Sequence, residues 1–183
     1  MQTSQFWKKD NYLMRSVKAS DAEAYYQAFH PLDSEIIRYT ACKEIFSYEE
    51  VMTFFQKSLQ DKDRYLFLIF SEKGEIVGET VINDIDFKLK SANFRIAISQ
   101  VKNRDKGIGS WATTCTRDFA FEKLNLHRLS LEVFSFNPRA KKCYLKAGFK
   151  AEGCLREAIL DGDSYADIIP MSILREEWLN IST

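Results

Sequence analysis

Histidine is nearly missing from this chain, and glycine and proline are scarce: 2 His, 7 Gly and 3 Pro among 183 residues. His30 and His127 stand far apart without ligand-spaced neighbours, so no metal site is expected. With so few glycines and prolines, no low-complexity stretch and no repeat, nothing reads as a linker. One domain over residues 1–183, with a core at about 12–174, is therefore expected. The four cysteines (Cys42, Cys115, Cys143, Cys154) lack C-x-x-C spacing and any paired pattern, and read as reduced thiols. Neither sign of charge is in excess, 26 Lys+Arg against 26 Asp+Glu, which disfavours a protein that holds a polyanion by bulk electrostatics. The best apolar run, Tyr65 to Phe70, is strand-sized and too short to cross a bilayer. The first residues, MQTSQFWKKDNYL, have no apolar stretch of the signal-peptide kind. A cytoplasmic protein without dedicated nucleic-acid or membrane partners is the expectation.

What is present is a globular composition, 45% apolar and 14% aromatic. Tyr12 to Ser16 reads as a short strand. Ser20-Asp21-Ala22-Glu23 and Ser47-Tyr48-Glu49-Glu50 are capping-box sequences, predicting helices that open near each. Tyr65 to Ser71 and Ile76 to about Ile85 form an antiparallel hairpin around Glu72-Lys73-Gly74-Glu75. In Ala92 to Ile98 the apolar residues Phe94, Ile96 and Ile98 alternate, as in a half-buried strand. Ile108, Trp111, Ala112, Cys115 and Phe119 form a helical stripe. Leu129 to Phe136 is a further strand. Asn137-Pro138 supplies an N-cap and a first-turn proline, and Gly148 a C-terminal stop. A last hairpin turns at Asp161-Gly162-Asp163. The order predicts an α/β (α+β) fold with a mixed, mostly antiparallel sheet and one helical crossover.

The sharpest local feature is Arg104-Asp105-Lys106-Gly107-Ile108-Gly109, a glycine-rich turn from strand to helix. The first N–H groups of a helix have no intrahelical acceptors and sit at the positive end of its dipole. Glycines let a phosphate approach the backbone, and Arg104 and Lys106 add charge, so the turn suits a pyrophosphate. An ordinary capped helix start has the same appearance. Gly107-Ile108-Gly109-Ser110-Trp111-Ala112 also satisfies the dinucleotide pattern G-x-G-x-x-A. That fingerprint requires a first parallel strand directly before the glycines, and here a polar loop intervenes.

Arg-x-x-Gly-x-Gly at 104–109, then a strand, then Asn137, Ala140, Tyr144 and Lys146-Ala147-Gly148-Phe149, resembles the GNAT superfamily of N-acetyltransferases. The tail Glu152-Gly153-x-Leu155-Arg156-Glu157 and Asp161-Gly162-x-x-Tyr165-x-Asp167 is similar to the Rim-type branch, which modifies ribosomal-protein N-termini. The middle segment is equally similar to spermidine N-acetyltransferases. The resemblance implies splayed central strands flanked by helices, and acetyl-CoA as cosubstrate without a metal. It also implies direct attack by an amine in a ternary complex. Coenzyme contacts are implied at Arg104, Asp105, Lys106, Gly107, Ile108, Gly109 and Ser110 for the pyrophosphate. Ile96, Ala97 and Ile98 would pair with the pantetheine arm, and Asn137 and Lys146 would add contacts. Tyr144 would serve as the acid at the leaving sulfur. From periodicity alone Tyr144 is a core residue, on a stripe with Ala140, Cys143 and Ala147.

The resemblance names no base, because the position where many relatives carry Glu is Asn93. Glu79, Asp84, Asp86, Glu132 and water remain open. Asp33, Glu35 and Glu44 are candidates to attract a polyamine, or are ordinary helix-terminal acids. An α-amine with reference pKa near 8 needs less help from a base than a polyamine. That leans the acceptor toward a protein N-terminus, with a polyamine as the alternative. A non-catalytic acyl-CoA-binding module is a further class, against which Tyr144 argues. Self-association is left open.

Overall fold

A computed structural model describes residues 5–99, 103–104 and 106–182. Contacts gather the chain into two compact units, Met1–Val81 with Ile96–Ala112, and Ile82–Arg95 with Thr113–Thr183. Among the described residues the architecture is α/β, with a mostly antiparallel sheet, as the element order predicts.

The first unit opens with a hairpin, β1 (Phe6–Lys9) and β2 (Tyr12–Ser16), paired with Trp7 opposite Met14. The sheet thus begins before Tyr12, where the sequence predicts its first strand. The overlooked signal is Asp10-Asn11, a two-residue turn whose Asp10 takes φ 49°. Helices α1 (Ala22–Phe29), α2 (Ser34–Thr40) and α3 (Tyr48–Gln60) follow, then β3 (Tyr65–Phe70), β4 (Ile76–Asp86) and β5 (Ser91–Ile98). Strand order here is β1-β2-β3-β4-β5. Tyr25, Phe55, Leu66, Leu68, Phe70, Ile76 and Val81 form one buried cluster, with Leu13, Phe29 and Val51 at its margin. These apolar positions recur at helical spacing in α1 and α3 and at alternate positions in β3, which is why those segments fold onto one another.

The Ser47 box forms as expected, with Ser47 Oγ accepting from Glu50 N and the Glu50 carboxylate accepting from Ser47 N. The Ser20 box does not. A 3-10 turn occupies Ala19–Asp21, and Asp21 accepts from Lys18 N at 2.8 Å while gripping Arg15 through two bonds of 2.7 and 2.8 Å. Burial alone would push the Asp21 carboxyl up, but the bonds from Arg15 and from Lys18 N outweigh it and hold it below its usual range. An ion pair from the preceding strand has displaced a local capping signal. α2 was likewise not expected in the weakly patterned stretch after Pro31. It begins where Asp33 caps the Glu35 N–H at 3.0 Å and ends at Ala41 in a left-handed conformation.

The second unit shares β4, β5 and α4 (Ile108–Glu122) with the first, since these elements run through both. It adds β6 (Arg128–Phe134), α5 (Pro138–Lys146), β7 (Lys150–Ala151), β8 (Leu155–Asp161), β9 (Ser164–Leu174) and α6 (Arg175–Ser182). Its strand order is β4-β5-β6-β9-β7, with β8 also on β9. β5 and β6 are parallel, joined through α4, while β6 and β9 pair antiparallel from Arg128↔Leu174 to Phe134↔Ile168. Phe121 stacks on Trp178 at 5.3 Å, which docks α6, an element absent from the sequence reading.

Candidate active site

The glycine turn lies in the first unit. Gly107 has φ +72°, a conformation that L side chains rarely adopt, and Trp111 N donates to its carbonyl at 3.1 Å. Helix α4 then starts at Ile108, so Ile108, Gly109 and Ser110 supply the first-turn N–H groups. Among the described residues, a Cβ built on Gly109 would meet nothing within 4 Å, the open space that a phosphate cradle requires. Lys106 is exposed beside the turn. Asp105, expected to share in coenzyme binding, lies outside the described residues, as does Lys102 of the preceding loop.

Arg104 departs from expectation. Its side chain is only 6% exposed, and its guanidinium donates to Asp33 Oδ1 at 2.9 Å and to Glu35 Oε2. Its charge is therefore neutralised at the start of α2. Burial would raise the Asp33 carboxyl, but Arg104 and the α2 amides hold it below its ordinary value. Asp33 and Glu35 thus stand as helix-terminal acids at the start of α2, two carboxylates paired with one guanidinium. Glu44 remains exposed. Ile96, Ala97 and Ile98 end β5 and are half-buried, and the following Ser99 N donates to Val77 O at 2.9 Å.

In the second unit the parallel ladder of β5 on β6 runs only from Ser91↔Arg128 to Asn93↔Ser130, although the strands continue to Ile98 and Phe134. Pairing thus stops where a splay was expected. Asn137 caps α5, its Oδ1 accepting from Ala140 N at 3.1 Å, and Pro138 occupies the first turn. Gly148 closes the helix at φ +89°, where a Cβ would collide with Ile181 Cδ1 at 2.6 Å. Lys146 is exposed in the last turn.

Tyr144 is buried on the inner face of α5. Phe94 meets its ring edge-on at 6.3 Å, and Phe149 lies at 6.1 Å. No hydrogen bond reaches its hydroxyl from the described residues. Burial, with a smaller contribution from the Cys143 thiol, pushes the phenol upward, so the hydroxyl keeps its proton across the working range. The two readings of Tyr144 are compatible: the ring is core, and a protonated oxygen sits at its tip.

Among the base candidates, Asp86 accepts from Lys88 N and Leu89 N, both at 2.8 Å, and so shapes the turn after β4. Asp84, at φ 53°, accepts from Asn83 Nδ2 at 2.6 Å, while Asn93 Nδ2 donates to Asn83 Oδ1 at 3.1 Å. Asn93 is thus linked through Asn83 to a carboxylate. Glu132 is exposed on β6, opposite Pro170, and Glu79 has one buried carboxylate oxygen on β4. Among the described residues no three His, Cys, Asp or Glu side chains gather as metal ligands, and no helix is long and apolar enough to cross a membrane.

The family model of the acetyltransferase (GNAT) domain matches residues 11–150. The chain is 29% identical over 136 residues to a spermidine N(1)-acetyltransferase of Vibrio cholerae, covering 74% of this chain and 78% of that one. It is 28% identical over 152 residues to the spermidine N(1)-acetyltransferase of Escherichia coli K12, with 82% and 81% covered. Its fold matches the crystal structure of spermidine N-acetyltransferase from Vibrio cholerae in complex with CoA and spermine. That match has a TM-score of 0.83 at 25% identity, over 94% of this chain and 100% of that one.

Proposed function

Because this chain belongs to the GNAT acetyltransferase family and is an N-acetyltransferase that uses acetyl-CoA, we propose that its amine acceptor is a polyamine of the spermidine type. The observation that carries this is the similarity, over most of both chains, to spermidine N-acetyltransferases from two organisms. It outweighs the lean toward a protein N-terminus, which rested only on the absence of Glu at position 93.

Acetyl-CoA supplies an acetyl thioester that a neutral amine attacks directly. The N–H groups of Ile108, Gly109 and Ser110 hold the pyrophosphate, favoured there by the dipole of α4. The main chain of Ile96, Ala97 and Ile98 pairs with the pantetheine arm as an added strand. Asn137 and Lys146 contribute further contacts. Tyr144 holds a proton at its oxygen and delivers it to the leaving sulfur, while the attacking nitrogen gives its proton to water, from which the phenolate is reprotonated. Open space over Gly109 and a protonated, unpartnered Tyr144 hydroxyl support these assignments. A single domain over residues 1–183 is part of the same reading.

Steady-state turnover with spermidine, spermine, putrescine and N-terminal peptides tests the acceptor. Spermidine or spermine should exceed every peptide in kcat/KM by at least roughly 100-fold, a difference of about 2.7 kcal/mol in transition-state binding. A peptide turned over faster than any polyamine would overturn the proposal.

A further inference from the structure

We propose that Lys9, on β1, is a ligand of the coenzyme pyrophosphate, supplying at the glycine turn the positive charge that Arg104 does not. The proposal rests on the reading of Gly107 to Ser110 as the pyrophosphate cradle.

Lys9 closes β1, where it pairs with Tyr12 of β2. The strand is anchored two residues earlier by Trp7, which meets Phe67 edge-on at 5.1 Å. From that fixed backbone the Lys9 side chain reaches the turn, and a Cβ built on Gly107 would lie 3.4 Å from its Nζ. The Lys9 ammonium therefore lies at van der Waals contact distance from where a Gly107 side chain would begin, beside the start of α4. Among the described residues the Lys9 ammonium makes no ion pair or hydrogen bond.

Arg104 shows the contrast. It stands inside the motif that implies phosphate binding, yet its guanidinium is committed to Asp33 and Glu35. Its charge is cancelled before it reaches the turn, and its role is to tie the loop to α2. Among the described residues of the turn, the backbone N–H groups would then face a diphosphate with exposed Lys106 as the free cation of the motif. Lys9 approaches from a different strand and completes the charge balance. A lysine ammonium serves here as a point charge with three rotatable donors, which suits a diphosphate of variable orientation.

Calorimetric titration of CoA into Lys9→Met and Lys9→Arg tests this, with dephospho-CoA and pantetheine as parallel ligands. Lys9→Met should raise the Kd for CoA about tenfold, equal to about 1.4 kcal/mol, and flatten its dependence on salt. Dephospho-CoA should lose as much, because it keeps the pyrophosphate, and pantetheine should lose nothing. Lys9→Arg, which retains the charge, should recover most of the affinity. A Kd for CoA within twofold of the parent in Lys9→Met overturns the proposal. So does a loss that vanishes with dephospho-CoA, which would place Lys9 at the 3′-phosphate. Gly109→Val separates the failures. If it weakens CoA while Lys9→Met does not, the cradle stands and Lys9 is wrong; if neither does, the cradle itself is misplaced.

Discussion

Arg117 closes the C-terminal end of the Tyr144 helix, donating from Nη1 to the Ala147 carbonyl at 2.7 Å. The last carbonyls of a helix lack intrahelical donors and carry its negative dipole end, so a buried guanidinium there satisfies both. Its remaining nitrogens grip Asp118 Oδ1 at 2.6 and 2.8 Å, and Trp178 Nε1 donates to the same oxygen at 2.8 Å. One connected set of bonds thus joins α4, α5 and α6 inside the second unit. Arg117→Met should break it, leaving Asp118 without its cation, and cost about 3 kcal/mol in urea unfolding. A loss below 1 kcal/mol would mean that solvent already screens the pair.

Tyr144→Phe separates chemistry from packing. The ring contacts with Phe94 and Phe149 survive, and the lost hydroxyl has no hydrogen-bond partner among the described residues, so stability at neutral pH should hardly change. Turnover should fall roughly 10²- to 10⁴-fold in kcat with CoA binding retained. A thioester of a more acidic thiol should recover part of the loss. Parent-like kcat in the Phe variant, with chemistry shown to limit the rate, would remove Tyr144 from the mechanism.

The raised phenol also carries a pH signature. Its folded value lies above the unfolded value of about 10, so its contribution is complete below pH 10 and is lost as pH rises further. Thermal unfolding of the parent should therefore decline more steeply above pH 10 than that of Tyr144→Phe. Parallel curves would show that the phenol ionises as freely in the fold as outside it.

Gly109→Val should leave the fold intact, because its added atoms enter open space, yet raise the Kd for CoA by roughly tenfold or more. Gly107→Ala should behave differently. It forces a side chain into φ +72° and should cost about 1–2 kcal/mol of stability even without ligand. Chemical denaturation and calorimetry on both variants check the contrast, and equal stability losses would contradict it.

Arg128 donates to both oxygens of Glu152, and Ser172 Oγ donates to Oε1 at 2.7 Å. The bond from Arg128, then that from Ser172, hold the Glu152 carboxyl down at about 2. A depressed carboxylate stabilises the fold above its unfolded value and loses that contribution as pH falls through the folded one, here between about 4.5 and 2. Glu152→Gln should flatten the decline of Tm across that window. At pH 7 it should cost less than about 1 kcal/mol, since the pair is partly exposed and screened. An unchanged acid limb would assign the decline to other carboxylates.

The chain by itself determined whatever depends on neighbours in sequence. The Ser47 box, the Asn137-Pro138 helix start, the Gly148 stop and the α4 stripe are local devices, and their energies act within a turn or two. The Arg104–Gly109 and Asn137–Phe149 patterns reveal the family for the same reason, since a glycine turn and a helix cap are written in short runs. Tertiary structure decided what depends on charge and on distant strands. Arg15, on β2 and six residues before Asp21, takes its carboxylate and displaces the Ser20 cap. The Arg104 guanidinium points to α2 because Asp33 and Glu35, some seventy residues earlier, present two carboxylates to it. Lys9 reaches Gly107 only because β1 pairs with β2 and is carried to the turn on an anchored strand. A long side chain's partner is chosen by whichever opposite charge or open space the fold brings within reach, and no spacing along the chain encodes that choice.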